Sequence, residues 1–208
     1  MLKTIMYALV FLIGGGLATG GFHLCRVHFK NKKELAPYLK ADIKVTKTFE
    51  KTLVVYYSFS RNTKKIAEQI KTKTNADIYE IRTEKPFSSG LSMYREVKKQ
   101  LKAGKYPQIR QDFPDFASYD LIFVGAPVWW YTAATPLLAF LENADFKGKK
   151  VVPFSTQGSN PGKFISDFKA KAKNAVILQD RKFNNISKKY DKAVENKIAD
   201  WLNTLDNE

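Results

Sequence analysis

Ser58, Ser60 and Thr63 place three hydroxyls within six residues, with Arg61 and Asn62 between the last two. They stand where an apolar run, Leu53 to Tyr57, gives way to a helical stretch that begins Lys64-Lys65-Ile66-Ala67. A buried strand that ends in such a turn and feeds a helix aims backbone N–H groups and the positive helix end at one spot. An anion, above all a phosphate, fits there. The hydroxyls are spaced to converge, and the Asn62 amide can cap the helix and donate as well. An ordinary strand-to-helix turn with a polar cap has the same composition, and this segment alone does not choose.

Two further loops are chemically unusual. Gly125 to Pro136 carries Pro127, Val128, Trp129, Trp130 and Tyr131. Three adjacent aromatics after a core strand cannot all pack inward, so at least one ring should face a cleft. Stacking a planar ligand on it is worth about 0.5–1.5 kcal/mol beyond the buried area. The alternative is that Trp129 and Trp130 simply cover the sheet edge. Ser155 to Gly162 offers Thr156, Gln157, Gly158 and Ser159, whose backbone amides and small polar groups could grip the polar edge of a heterocycle. Its alternative is a connection that needs glycine only for its turns.

The elements that would position these loops alternate between strand and helix patterns. Strands are expected at Leu53 to Tyr57, Ala76 to Ile81, Leu121 to Gly125, Lys150 to Phe154 and Ala175 to Leu178. Helices are expected near Thr63 to Thr72, Leu91 to Lys102, Pro136 to Glu142, Gly162 to Lys171 and Lys188 to Leu205. The first, third and fourth strands are apolar on successive residues, as strands covered on both faces are. The reading is an α/β doubly wound five-stranded parallel sheet with helices on both faces. The three loops follow those three strands, and ligands of such sheets lie beyond the carboxyl ends of the strands.

Taken together the loops resemble those of the flavodoxin family. Tyr57-Ser58-Phe59-Ser60-Arg61-Asn62-Thr63 is similar to the family's FMN-phosphate loop, T/S-x-T/S-G-x-T. Gly125-Ala126-Pro127-Val128-Trp129-Trp130 is similar to its flavin-stacking loop, and Pro153-Phe154-Ser155-Thr156-Gln157-Gly158 to the loop that closes over the ring. The resemblance covers roughly residues 52 to 205, within a domain read as 52–208, and implies strand order 2-1-3-4-5 and FMN as cofactor. It places Ser58, Ser60, Arg61, Asn62 and Thr63 on the phosphate, Trp129 or Trp130 on the ring, and Thr156 to Ser159 at the ring's edge, with no catalytic acid or base. Arg61 stands where the family usually has glycine. Either it swings outward and adds a charge-assisted contact, or it weakens FMN binding; we expect binding to be retained. The implied function is electron transfer. The alternatives are an NAD(P)H-dependent FMN oxidoreductase of the quinone reductase type and a flavin-free binding module acting through a basic surface.

Length and charge narrow these classes. The 208 residues suffice for one domain and an appendage, and the net charge is +15. Electron-carrying flavodoxins are typically acidic, so a basic chain implies a redox partner with an acidic surface, or a membrane. The lysines spread over helix faces, as solvated surface does, and nucleic acid is not expected. One cysteine, Cys25, excludes an internal disulfide, and with two histidines no metal site is expected. Thr4 to Cys25 holds no Asp, Glu, Lys or Arg and is long enough for one membrane crossing. Residues 1–25 are read as an uncleaved single-pass anchor. A signal peptide cut after Ala18-Thr19-Gly20 and lipidation at Cys25 are the competing readings. Arg26, Lys30, Lys32 and Lys33 outnumber Lys3 across this segment, which points to a cytoplasmic domain at the cell membrane; cleavage would make it secreted or extracytoplasmic. Residues 26–51, eight Lys/Arg against three acids, read as a basic linker.

Overall fold

The computed structural model describes residues 20–184 and 188–205. Strands β1 (Thr52–Tyr56), β3 (Leu121–Trp129) and β5 (Lys150–Gln157) form the middle of one parallel sheet, with β2 (Asp77–Glu80) outside β1. Beyond β5 lie β6 (Val176–Ile177), paired with its first two residues, and β7 (Arg181–Asn184), paired with Phe154 to Gln157. A short strand, β4 (Thr132–Ala133), folds back antiparallel on the end of β3. Among the described residues the sheet therefore has seven strands where five were expected. The last expected strand, Ala175 to Leu178, forms as the two-residue β6, an unexpected β7 follows it after residues 178–180, and β3 runs far enough past Gly125 to make a hairpin. With the hairpin strand left out of the count, the path β2-β1-β3-β5-β6 is the order 2-1-3-4-5.

Successive residues of the central strands feed opposite cores. Leu53, Val55 and Tyr57 join one, with Ile122 and Val124; Val54 and Tyr56 join the other, with Phe123 and Val152. Both faces are thus covered, which is why these runs carry no polar alternation. Helices α2 (Asn62–Thr74) and α6 (Asp191–Thr204) bury Ile66, Ile70, Ile198 and Trp201 on one side. Helices α4 (Thr135–Asn143) and α5 (Phe164–Lys171) bury Leu137, Phe140, Phe164 and Phe168 on the other, where α3 (Leu91–Ala103) adds Leu101. A Cβ on Gly125 would lie 2.2 Å from the Phe154 ring, so β3 has a glycine where that ring crosses it.

The N-terminal part is not slack. Residues 20–35 are helical (α1); its first eleven residues lie largely in solvent, whereas Asn31 and Leu35 are buried. Leu35 packs with Tyr190 and Ala193, and the chain then runs along α6. Asn196 donates to the carbonyls of Tyr38 (3.0 Å) and Ala41 (2.6 Å), the Tyr38 hydroxyl donates to Asp200 (2.9 Å), and Asn203 accepts from the Thr46 N–H (2.8 Å). Residues 196, 200 and 203 share one face of a helix, so much of the stretch expected as a linker is held on α6. Residues 1–19, most of the expected membrane or signal segment, lie outside the described residues. Among the described residues no helix is long and apolar enough to cross a membrane.

Candidate functional site

The first loop bends as a glycine-containing loop would, but without the glycine. Arg61 has φ 67° and ψ −5°, the left-handed conformation, and its side chain is exposed. Helix α2 starts at the next residue with no side-chain cap and no acid in its first turn. The N–H groups of that turn have no partners within the helix, and they carry the positive end of its dipole. The Ser58 Oγ is buried and has no hydrogen-bond partner among the described residues. A buried hydroxyl left unpaired is costly, so a donor or acceptor brought to this mouth fits the residues present. Ser60 and Asn62 are exposed and bond each other, the Asn62 amide donating to the Ser60 Oγ at 3.2 Å. Thr63 is buried, with its Oγ1 2.7 Å from that of Thr156.

The second loop is a tight hairpin. Val128 pairs with Ala133 and Trp129 with Thr132, leaving Trp130 and Tyr131 as the two turn residues, at φ 49° and 60°. Turns with both central residues left-handed join antiparallel strands well, and sequences ordinarily meet them with Asn-Gly. Here they hold two large aromatic rings outward, Trp130 at 47% and Tyr131 at 66% exposure. Trp129 is half-buried, edge-on to Tyr57, Phe59 and Phe87 at ring-centroid distances of 5.5, 6.1 and 5.4 Å. Trp129 thus covers the sheet end, and its neighbour Trp130 faces outward beside Tyr94, with the Lys98 ammonium 5.5 Å from its ring centre. A cavity of about 310 Å³ opens between Phe59, Met93 and Tyr94 and the two tryptophans. Pro127 and Val128 are half-buried on the strand leading to the tip.

The third loop begins later than the strand pattern indicates, because β5 continues through Gln157. Its added residues pair on both sides, Thr156 with Pro127 of β3 and Gln157 with Asn184 of β7. The Thr156 and Gln157 side chains are buried, so what they can offer outward is backbone; Gly158 is exposed and Ser159 half-buried. At the loop's end, Gly162 has φ 55°, and a Cβ there would lie 2.1 Å from the Tyr131 carbonyl oxygen, which accepts from the Lys163 N–H at 2.6 Å.

Each pair of loops is therefore tied directly. Thr63 joins the first to the third, Phe59 and Trp129 join the first to the second, and Tyr131 and Lys163 join the second to the third. Phe59, Phe87 and Tyr94 belong to this constellation although the sequence reading did not single them out. An exposed phenylalanine inside a polar turn was the available signal for the first.

An anion-ready helix start, an aromatic wall and an amide-rich third loop, gathered at the carboxyl edge of a doubly wound sheet, define a domain built for a phosphorylated planar ligand. A family profile described as Flavodoxin matches residues 51–205, and the chain belongs to the flavodoxin family. Among solved structures, a Lactobacillus acidophilus flavoprotein in complex with FMN is 30% identical, with a TM-score of 0.59, over 64% of this chain and 93% of its own. A Bacteroides eggerthii structure described as a flavoprotein is 26% identical, with a TM-score of 0.61, over 74% and 97%. A third, from Bacteroides uniformis, is 24% identical over 74% and 99%, with a TM-score of 0.60, and is similar in fold. A search of curated proteins finds no match.

Proposed function

We propose that this protein binds FMN across the three loops and carries electrons, held at a membrane by its N-terminal segment. The observation that carries the reading is the buried, partnerless Ser58 Oγ beside the uncapped start of α2. Ser58, the α2 amides and the exposed Ser60, Arg61 and Asn62 would hold the phosphate, while Thr63 braces the turn from beneath through Thr156. Trp129 or Trp130 would face the ring, and the backbone of residues 157–159 its polar edge. FMN, when bound, supplies one- and two-electron redox chemistry; the chain orients it, shields it from water and sets its electrostatics.

Three facts support the other parts of the proposal. The +15 charge favours a partner with an acidic surface. Phe22, Leu24 and Phe29 are exposed on the projecting helix α1, and the apolar Thr4 to Cys25 stretch leads into it. A second reading, an NAD(P)H-dependent oxidoreductase, is favoured by a separate cavity of about 430 Å³ beside Tyr131, which Tyr106, Lys163 and Lys171 also line. The absorption spectrum of the purified protein, before and after adding FMN, tests the main proposal. A colourless protein that takes up no FMN would leave the flavin-free binding module in its place. Steady-state NADPH oxidation by the FMN-loaded protein would favour the second reading over the first.

A further inference from the structure

The end of β5 is connected to helix α1 by an unbroken line of side-chain hydrogen bonds. The Ser155 Oγ donates to the Gln157 Oε1 at 3.0 Å, and the Gln157 Nε2 donates to the Asn184 Oδ1 at 3.2 Å. The Asn184 Nδ2 then donates to the Glu34 Oε2 at 2.9 Å. The other Glu34 oxygen accepts from the Lys197 Nζ, which also donates to the Lys182 carbonyl at 2.6 Å. Ser155, Gln157 and Lys197 are buried, at 1%, 4% and 5% exposure.

We propose that Glu34 is a positioning residue of the candidate site, acting through Asn184 to set the orientation of Gln157 and so to hold the third loop. The polarity of the line follows from its two ends. A carboxylate can only accept, so Asn184 must turn its NH2 toward Glu34 and its oxygen toward Gln157. Gln157 must then present its NH2 to Asn184 and its oxygen to the Ser155 hydroxyl. An ammonium can only donate, and Lys197 is buried, so it fixes Glu34 as a charged acceptor in return. Burial pushes the Lys197 ammonium below its ordinary range, and the hydrogen bond and charge of Glu34 oppose that. Gly158 and Ser159 leave the sheet from the residue so pinned. Glu34 lies outside residues 51–205, so the family pattern does not contain it. In this chain the N-terminal helix is a structural part of the loop proposed to meet the flavin edge.

The inference rests on the FMN reading only for what the third loop contacts, and its test has an arm that needs no flavin. Two variants break the line in different ways: Glu34→Gln lets the amides flip, and Asn184→Leu cuts the link while leaving the Glu34–Lys197 pair intact. Asn203→Ala is the control, because it loosens the same N-terminal segment at Lys44 and Thr46 without touching the line or β7. In flavin-free full-length protein, amide hydrogen exchange at residues 155–160 should be about fivefold or more faster in both variants and within about twofold of wild type in the control. With FMN added, quenching of flavin fluorescence should show the dissociation constant about fivefold higher in the same two variants and unchanged in the control. Unaltered exchange in Asn184→Leu, or equal acceleration in Asn203→Ala, would overturn the proposal. Wild-type protein that binds no FMN would defeat the flavin reading alone, and the exchange comparison would still decide this one.

Discussion

The hydroxyls of Thr63 and Thr156 lie 2.7 Å apart and buried, joining the first turn of α2 to the end of β5 across 93 residues of sequence. Among the described residues neither hydroxyl bonds another side chain. Replacing Thr156 alone by Val strands the Thr63 hydroxyl in the core and should cost about 1–3 kcal/mol, whereas Thr63→Val with Thr156→Val should recover much of that, because two apolar groups of the same shape need no partner. Urea denaturation of the two single variants and the double variant checks this. A double variant as unstable as the sum of the singles would mean that the pair is not coupled.

Arg61 adopts a backbone conformation that costs an ordinary L-residue about 1–2 kcal/mol relative to the right-handed form. Arg61→Gly should therefore raise stability by about 1 kcal/mol. It should also weaken FMN binding and flatten its dependence on salt, because the guanidinium is exposed at the mouth of the cradle and free to meet the phosphate. Arg61→Ala loses the charge but keeps the bend, and should weaken binding without the gain in stability. Tighter FMN binding by Arg61→Gly would show instead that the natural side chain impairs the loop.

The hairpin tip holds two bulky residues where the backbone favours Asn-Gly, at a cost of order 1 kcal/mol for each. Replacing Trp130-Tyr131 by Asn-Gly should thus raise the thermal midpoint while lowering FMN affinity. Calorimetry and fluorescence quenching on the same samples would test both halves. A variant that gained stability at full affinity would remove the exposed rings from the site.

Burial, and then the charge of Glu80, pushes the Tyr56 phenol up to about 12; burial and the hydrogen bond to Asp112 bring Tyr79 to about 12. Tyr57, also buried and near Glu80, is raised further. The fold holds these phenols neutral, so the stability they contribute is complete below the ordinary tyrosine range near 10. It is lost as pH rises from there toward about 12, because the unfolded chain ionises first. Stability measured across that interval should fall more steeply than in Tyr79→Phe, which removes one of the three.

The net charge of +15 surrounds any bound flavin with a positive field, which stabilises added electrons. The FMN-loaded protein should have a less negative reduction potential than acidic flavodoxins do, with the difference shrinking at high salt. A redox titration that returns an equal or lower potential at low salt contradicts this.

What could be read in the sequence follows from which forces leave a local trace. β1, β3 and β5 are covered on both faces, so their burial is written as apolar runs, and the loops after them carry the hydroxyls and tryptophans that the structure brings together. The hairpin left no such trace, because Trp130 and Tyr131 occupy positions that glycine and asparagine ordinarily mark. The end of β5 was equally silent: Ser155, Thr156 and Gln157 are polar residues buried through side-chain bonds to Asn184 and Thr63 that only the folded chain supplies. The same holds for residues 31–47, whose ties to Asn196, Asp200 and Asn203 span more than 150 residues and follow no period in their own sequence. The departure at Arg61 could be seen, but its outcome is a backbone angle and not a composition.

Helix α1 projects from the domain and its last turn is locked into it at Leu35 and Glu34. From residue 20 to that lock a helix covers only about 22 Å. If the residues before it are held at a membrane, as proposed, the domain would stand as a head on a short strut and not as a float on a line. Its reach would then be a thin shell set by the strut's length, and a partner would have to come to that height to meet the aromatic tip.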